Sequence, residues 1–184
     1  MGTGTHRIAV IYASSQGSTR EIAGHIGAEL ANSGARVEIA DAAHAPELTR
    51  FDAVILGSAI HNNDVLPEMT DFARTHHGDL TARPVWLFTV GLGPALHGPL
   101  GRRLARAIPG RIAALRDSVC AAGYRTFAGH FERSGISWWA RVVYRLLGGG
   151  RYGDLEDWLS ISDWTAGIAR TLRLPQPTTS TAPL

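Results

Sequence analysis

Residues 12–19, Tyr-Ala-Ser-Ser-Gln-Gly-Ser-Thr, decide the fold of this chain. They follow an apolar run over 6–12 and precede a helical pattern in which Ile22, Ile26 and Leu30 share one face. This order of strand, polar loop and helix places the loop at a helix N-terminus, where free backbone N–H groups and the helix dipole favour an anion. The loop's hydroxyls supply hydrogen bonds, and Gly17 allows close backbone approach. The sequence therefore predicts a phosphate-binding loop.

Other phosphate loops match the sequence less well. A Walker A loop needs a Lys, and all 18 basic side chains of this chain are Arg. A Rossmann loop needs three glycines, and here Gly17 stands alone. Hydroxyls in place of glycines suit a terminal monophosphate better than a pyrophosphate. Ser18 with Glu21 three residues later also predicts a capping box, which is compatible with phosphate binding.

The composition is that of an ordinary globular protein. The 184 residues are 45% hydrophobic and 18% charged, which predicts a single domain over 1–174. No apolar run reaches the length of a membrane span, and we recognise no signal peptide.

The lone Cys120 cannot form an internal disulfide, which favours the cytoplasm, and its apolar neighbours predict a buried structural thiol. The Pro- and Thr-rich tail over 175–184 is predicted to be disordered.

The charge pattern excludes some partners. A net charge of +2 is too small to indicate nucleic acid binding, so we expect none. His97 and His130 have no Cys or second His at metal-ligand spacing, so we expect no metal. The Arg residues cluster at 102–116 and 141–151, which suggests that the second half of the chain meets an anionic surface or ligand.

Short apolar runs alternate with helical patterns along the chain. Strands are predicted at 6–12, 36–40, 52–57, 84–90 and 125–131, and helices at 18–32, 65–77, 100–116, 136–147 and 162–173, the last with Ser162 or Asp163 as its N-cap. The runs at 52–57 and 84–90 are continuously apolar, as in strands covered on both faces. The pattern predicts an α/β fold, an open doubly wound sheet of five parallel strands with helices on both faces.

Ligands of such sheets bind beyond the carboxyl ends of the strands. Three segments at those ends, within 14–19, 57–64 and 89–94, form a cradle for a flat ligand with a phosphorylated tail. No catalytic residue can be assigned from the sequence. The predicted cofactor-binding residues are Ser14, Ser15, Gln16, Gly17, Ser18, Thr19, Ser58, Ala59, Ile60, His61, Asn62, Thr89, Val90, Gly91, Leu92 and Gly93.

Two parts of the chain resemble known families. The loop at 12–19 resembles the flavodoxin loop that binds FMN phosphate, and 57–60 resembles the loop after the third flavodoxin strand. The resemblance implies a flavodoxin-like fold with FMN as its cofactor. The loops that flank the ring offer Ile60, His61 and Leu92, whereas flavodoxins typically place aromatic residues there.

The second half is similar to the menaquinone-dependent protoporphyrinogen IX dehydrogenases, a flavodoxin-like branch of heme biosynthesis. The similarity lies in residues 127–131, the aromatic segment 136–147, the glycines at 148–150, Asp154 and the pair 163–164. It implies an FMN-dependent oxidoreductase that passes electrons from protoporphyrinogen IX to a quinone. Two alternatives stay open: a flavodoxin-type electron carrier without a substrate of its own, and an NAD(P)H-quinone reductase.

Residues 136–147 are predicted to form an amphipathic helix. Trp138 and Trp139 lie beside Arg141 and Arg145, a combination that suits a membrane interface. A core helix of the sheet is the alternative, and a half-buried helix satisfies both. The first interpretation predicts peripheral contact with the inner face of the membrane or with a quinone.

Overall fold

The computed structural model describes residues 5–91, 108–129 and 157–175. Its strands are β1 (Arg7–Ala13), β2 (Arg36–Asp41), β3 (Ala53–His61), β4 (Asp64–Val65), β5 (Val85–Gly91) and β6 (Gly123–Ala128). Its α-helices are α1 (Ser18–Asn32), α2 (Pro67–Thr75), α3 (His77–Thr81), α4 (Gly110–Ser118) and α5 (Trp158–Thr171), with 3-10 turns at Ala42–His44 and Leu48–Arg50.

Five parallel strands form the sheet in the order β2-β1-β3-β5-β6. The two-residue strand β4 pairs antiparallel with the end of β3 and forms a hairpin. The carboxyl ends of the parallel strands lie along one edge of the sheet, which brings together chain segments that are distant in sequence. The predicted five-stranded parallel sheet is confirmed.

The helices cover both faces of the sheet, as predicted. On one face, α1 and α5 pack over a core that includes Ile8, Val10 and Phe88. On the other, α2 and α4 cover Ile11, Leu56 and their neighbours. The central strands β3 and β5 have buried side chains on both faces, which explains why their sequences are continuously apolar.

Two helix predictions need correction. The helix predicted at 65–77 is two helices, α2 and α3, with His76 between them. The helix predicted at 162–173 begins at Trp158, so neither Ser162 nor Asp163 is its N-cap. The N-cap is Asp157, whose Oδ1 accepts a hydrogen bond from the Ser160 N–H at 3.1 Å. The sequence offers four short polar residues within the seven positions 157–163, and N-cap propensity alone does not decide between them.

The predicted burial of Cys120 is also wrong. Cys120 follows α4 in a turn with a φ of 49°, and its side chain is exposed. The turn directs this residue outward although its neighbour Val119 is buried.

Some predictions fall on other parts of the chain. Residues 100–107 of one predicted helix, the whole of 136–147 and the tail from 176 onward lie outside the described residues. No helix in the described part of the chain is long and apolar enough to cross a membrane.

Candidate functional site

The predicted phosphate loop connects β1 to α1. Gly17 is the N-cap of α1, with a φ of 101° and a ψ of −34°. A side chain would be strained in this conformation, and a Cβ atom built there meets no heavy atom within 4 Å. The expected capping box is therefore wrong: Ser18 is the first helical residue, and no side chain caps the helix at the Gly17 position.

Hydrogen bonds define the shape of this loop. The Gly17 N–H donates to Ser14 Oγ at 3.0 Å, and the first helical bond runs from the Glu21 N–H to the Gly17 carbonyl, also at 3.0 Å. The Thr19 and Arg20 amides precede that helical bond, and among the described residues they have no acceptor. The loop thus presents backbone donors at the positive end of the helix dipole.

The loop side chains differ in accessibility. Ser15 and Gln16 are exposed, Ser14 and Ser18 are half-buried, and Thr19 is buried. A ligand that approaches from solvent therefore meets the first two side chains and the backbone, while the Thr19 side chain packs inward.

The second predicted segment is a hairpin, defined here as residues 58–66. Asn62 and Asn63 have φ values of 51° and 60°, the conformation of a type I′ turn between β3 and β4. At its base, the Leu66 N–H donates to Ser58 Oγ at 3.0 Å, and the Ser58 hydroxyl donates to the Ala59 carbonyl at the same distance. Ser58 is fully buried, so its hydroxyl holds the hairpin rather than facing solvent.

The outer part of the hairpin is more accessible. His61 and Asn62 are exposed, whereas Ala59 and Ile60 are half-buried. Arg111 of α4 pairs with Asp64 across the hairpin, with 3.0 Å between Nη1 and Oδ2. The hairpin is therefore fastened at its base by Ser58 and near its turn by Arg111.

The third predicted segment is the end of β5. Thr89 is fully buried, and its Oγ1 lies 2.8 Å from the Tyr124 hydroxyl and 3.2 Å from Thr126 Oγ1. Tyr124 and Thr126 are themselves 2.7 Å apart, so three hydroxyls form a closed triangle between β5 and β6. Val90 is buried and Gly91 half-buried, and Leu92 and Gly93 lie outside the described residues.

Close packing brings the three segments together. A Cβ atom built on Gly91 would lie 3.1 Å from Ile60 Cδ1, so β5 ends against the hairpin. One built on Gly129 would lie 2.7 Å from Val90 Cγ1 and 3.3 Å from Ser18 Oγ, so the residue after β6 packs against both β5 and the start of α1. Gly129 was not among the predicted residues, because the sequence analysis placed it inside a strand at 125–131, whereas that strand ends at Ala128.

The fold and site define a class of protein. A doubly wound parallel sheet with a glycine-capped hydroxyl loop at its carboxyl edge is the arrangement of α/β proteins that bind phosphorylated ligands. The flavodoxin domain model matches residues 9–154, and the chain belongs to that family. FMN is the cofactor of this family, which agrees with the predicted cofactor.

Solved structures of low sequence identity share the fold. A mutant flavodoxin from Pseudomonas aeruginosa is 13% identical with a TM-score of 0.58, and the match covers 91% of this chain and 99% of that one. For oxidised flavodoxin 1 from Bacillus cereus the identity is 17%, the TM-score 0.56 and the coverage 89% and 97%.

A larger enzyme contains the same fold. The rubredoxin oxygen:oxidoreductase of Desulfovibrio gigas is 16% identical with a TM-score of 0.57, and the match covers 92% of this chain but 36% of that enzyme. No curated protein matches the chain. The family model supports the flavodoxin family and the three solved structures support the fold, but none of them supports the protoporphyrinogen IX dehydrogenase branch.

Proposed function

We propose that this chain binds FMN at the carboxyl edge of its sheet and transfers electrons through it. The observation that carries the proposal is the loop at 14–17, whose glycine cap begins α1 with the Thr19 and Arg20 amides in its first turn. FMN supplies the electron chemistry when bound, and the protein supplies binding and orientation.

The residues present fit FMN. The loop and the first two residues of α1 contain no carboxylate that would repel a phosphate, and the space above Gly17 is open. Ser15, Gln16 and the Thr19 and Arg20 amides would hold the phosphate. Exposed hairpin residues and the end of β5 would flank the ring.

A pair of titrations tests the phosphate assignment. Purified protein freed of flavin should take up one equivalent of FMN, followed by the loss of flavin fluorescence. Riboflavin, which has the same ring without the phosphate, should bind at least about tenfold more weakly, because charge-assisted hydrogen bonds are lost. Equal affinity for the two flavins would contradict the assignment of the loop.

For the reaction, we propose an FMN-dependent oxidoreductase that passes electrons from an organic donor to a quinone. Protoporphyrinogen IX is the proposed donor and menaquinone the proposed acceptor. The support is the order of residues over 127–164, most of which lies outside the described residues. Membership of the flavodoxin family supports a second candidate equally, an electron carrier without its own substrate.

Porphyrin fluorescence separates these candidates. Protein loaded with FMN is mixed with protoporphyrinogen and a soluble quinone analogue under anaerobic conditions. Porphyrin formation that requires both protein and quinone supports the dehydrogenase. Quinone reduction with NADPH alone would indicate an NAD(P)H-quinone reductase. If neither reaction occurs, the electron carrier is the better candidate.

We further propose that residues 136–147 contact a membrane or a quinone. Arg141→Glu combined with Arg145→Glu should reduce cosedimentation with anionic vesicles, since each basic residue near the surface contributes about 1 kcal/mol. The matched control is Arg170→Glu with Arg173→Glu, at two exposed positions in and just after α5. Equal binding of both double variants would contradict this contact.

A further inference from the structure

The part of the proposed site that would flank the flavin ring carries very little charge. Its described segments are 58–66, 89–91 and 128–129, and together they contain one carboxylate, that of Asp64. Its single charge is therefore the largest fixed charge that these segments place near a bound ligand.

That carboxylate is paired from outside the hairpin. Asp64 Oδ1 accepts the Val65 N–H at 2.9 Å, and Oδ2 accepts Arg111 Nη1 at 3.0 Å. Arg111 is the second residue of α4 and lies 47 positions away in sequence. The Asp64 side chain is 26% exposed and that of Arg111 is 82% exposed, so the pair adds little to global stability.

We propose that Arg111 is a positioning residue of the cofactor site that makes bound FMN easier to reduce. This inference rests on the proposed function. Reduction adds negative charge to the flavin, and an unpaired carboxylate nearby would oppose it. Arg111 neutralises Asp64 and holds the hairpin against α4, so the reduced flavin meets a neutral hairpin in a fixed position.

The variant that tests the proposal is Arg111→Gln. The control is Arg116→Gln, which removes an arginine from the same helix whose Nη2 pairs with Asp117 at 2.7 Å instead of with the hairpin. Two quantities are measured for each: hydrogen exchange at the Leu66 amide in protein without FMN, and the midpoint potential of bound FMN against a reference dye.

Arg111→Gln should accelerate exchange at Leu66 and shift the midpoint to more negative values. The shift should correspond to a two- to fivefold lower preference for reduced over oxidised FMN, about the effect of one charge at an exposed site. Arg116→Gln should change neither quantity. Faster exchange without a shift in midpoint would reduce Arg111 to a structural role and overturn the proposal.

Two further variants separate the effect of charge on the midpoint potential from the effect of hairpin geometry. Asp64→Asn should shift the midpoint to more positive values, and the Arg111→Gln, Asp64→Asn double variant should return close to wild type because its net charge is unchanged. If the midpoint potential of the double variant is as negative as that of Arg111→Gln alone, the electrostatic argument is overturned. Failure of the wild-type protein to bind FMN is a different result, which overturns the proposed function and this inference with it.

Discussion

The phosphate loop and the hairpin lie at the same edge of the sheet but are built in opposite ways. In the loop, the Gly17 N–H donates to the side chain of Ser14. The hairpin has a buried hydroxyl at its base, a type I′ turn and an ion pair to α4. The loop has helix amides without an acceptor among the described residues, whereas Ser58 and Asp64 of the hairpin are both held by protein contacts. We propose that the loop binds the cofactor and that the hairpin positions it, and the following changes test that division.

The largest effect is expected at Gly17. Gly17→Val places a β-branched residue at a φ of 101°, which costs about 1–3 kcal/mol in strain and blocks backbone approach. FMN affinity should fall by about 10- to 100-fold, measured by flavin fluorescence titration. The control is Gly24→Ala in α1, where the added methyl group meets nothing and helix propensity improves. Unchanged FMN affinity in Gly17→Val would contradict the binding role of the loop.

A smaller effect, on folding, is expected at the base of the hairpin. Ser58→Ala leaves the Leu66 N–H without its acceptor, so the free energy of unfolding should fall by about 1–3 kcal/mol in urea titrations. Ser118→Ala removes an exposed hydroxyl that donates to the Leu115 carbonyl and should cost far less. If the two variants are equally stable, the hairpin does not depend on Ser58.

The sequence predicted the strands and the loop but not how the hairpin is built. Apolar runs mark the strands because burial on both faces requires them, and Gly17 stands out because few residues tolerate its conformation. The end of β3, from Ser58 to His61, looks like a loop in sequence because the continuously apolar run stops before Ser58. In the structure β3 continues to His61, and Ser58 is buried within it.

Contacts between residues that are distant in the sequence also could not be predicted. Arg111 and Asp64 are 47 positions apart, and Thr89 meets Tyr124 and Thr126 only because β5 and β6 are neighbours in the sheet. Composition shows that such groups exist, but strand order and register decide which of them meet. The position of Gly129 beside Ser18 has the same origin.

A third change addresses the internal bond of the phosphate loop. Ser14→Ala removes the acceptor of the Gly17 N–H, so the loop should lose its preorganised shape while its amides stay available. FMN affinity should fall about fivefold, equivalent to about 1 kcal/mol, measured by the same titration. Ser14→Thr retains the hydroxyl and should restore most of the affinity. Full FMN affinity in Ser14→Ala would show that the helix terminus alone sets the loop.

The smallest effect is expected for Asn63→Gly at the turn of the hairpin. Asn63 has a φ of 60°, within the left-handed region that Asn tolerates, whereas Gly17 at 101° lies outside it. Asn63→Gly should therefore change the free energy of unfolding by less than about 0.5 kcal/mol, since both residues suit a type I′ turn. Asn63→Val should cost about 1–2 kcal/mol, because a β-branched side chain opposes this conformation. Gly17→Asn, in contrast, should still weaken FMN binding. If Gly17→Asn binds FMN as tightly as the wild-type protein does, the backbone conformation at position 17 does not require glycine. The difference between the phosphate loop and the hairpin would then not lie in the backbone.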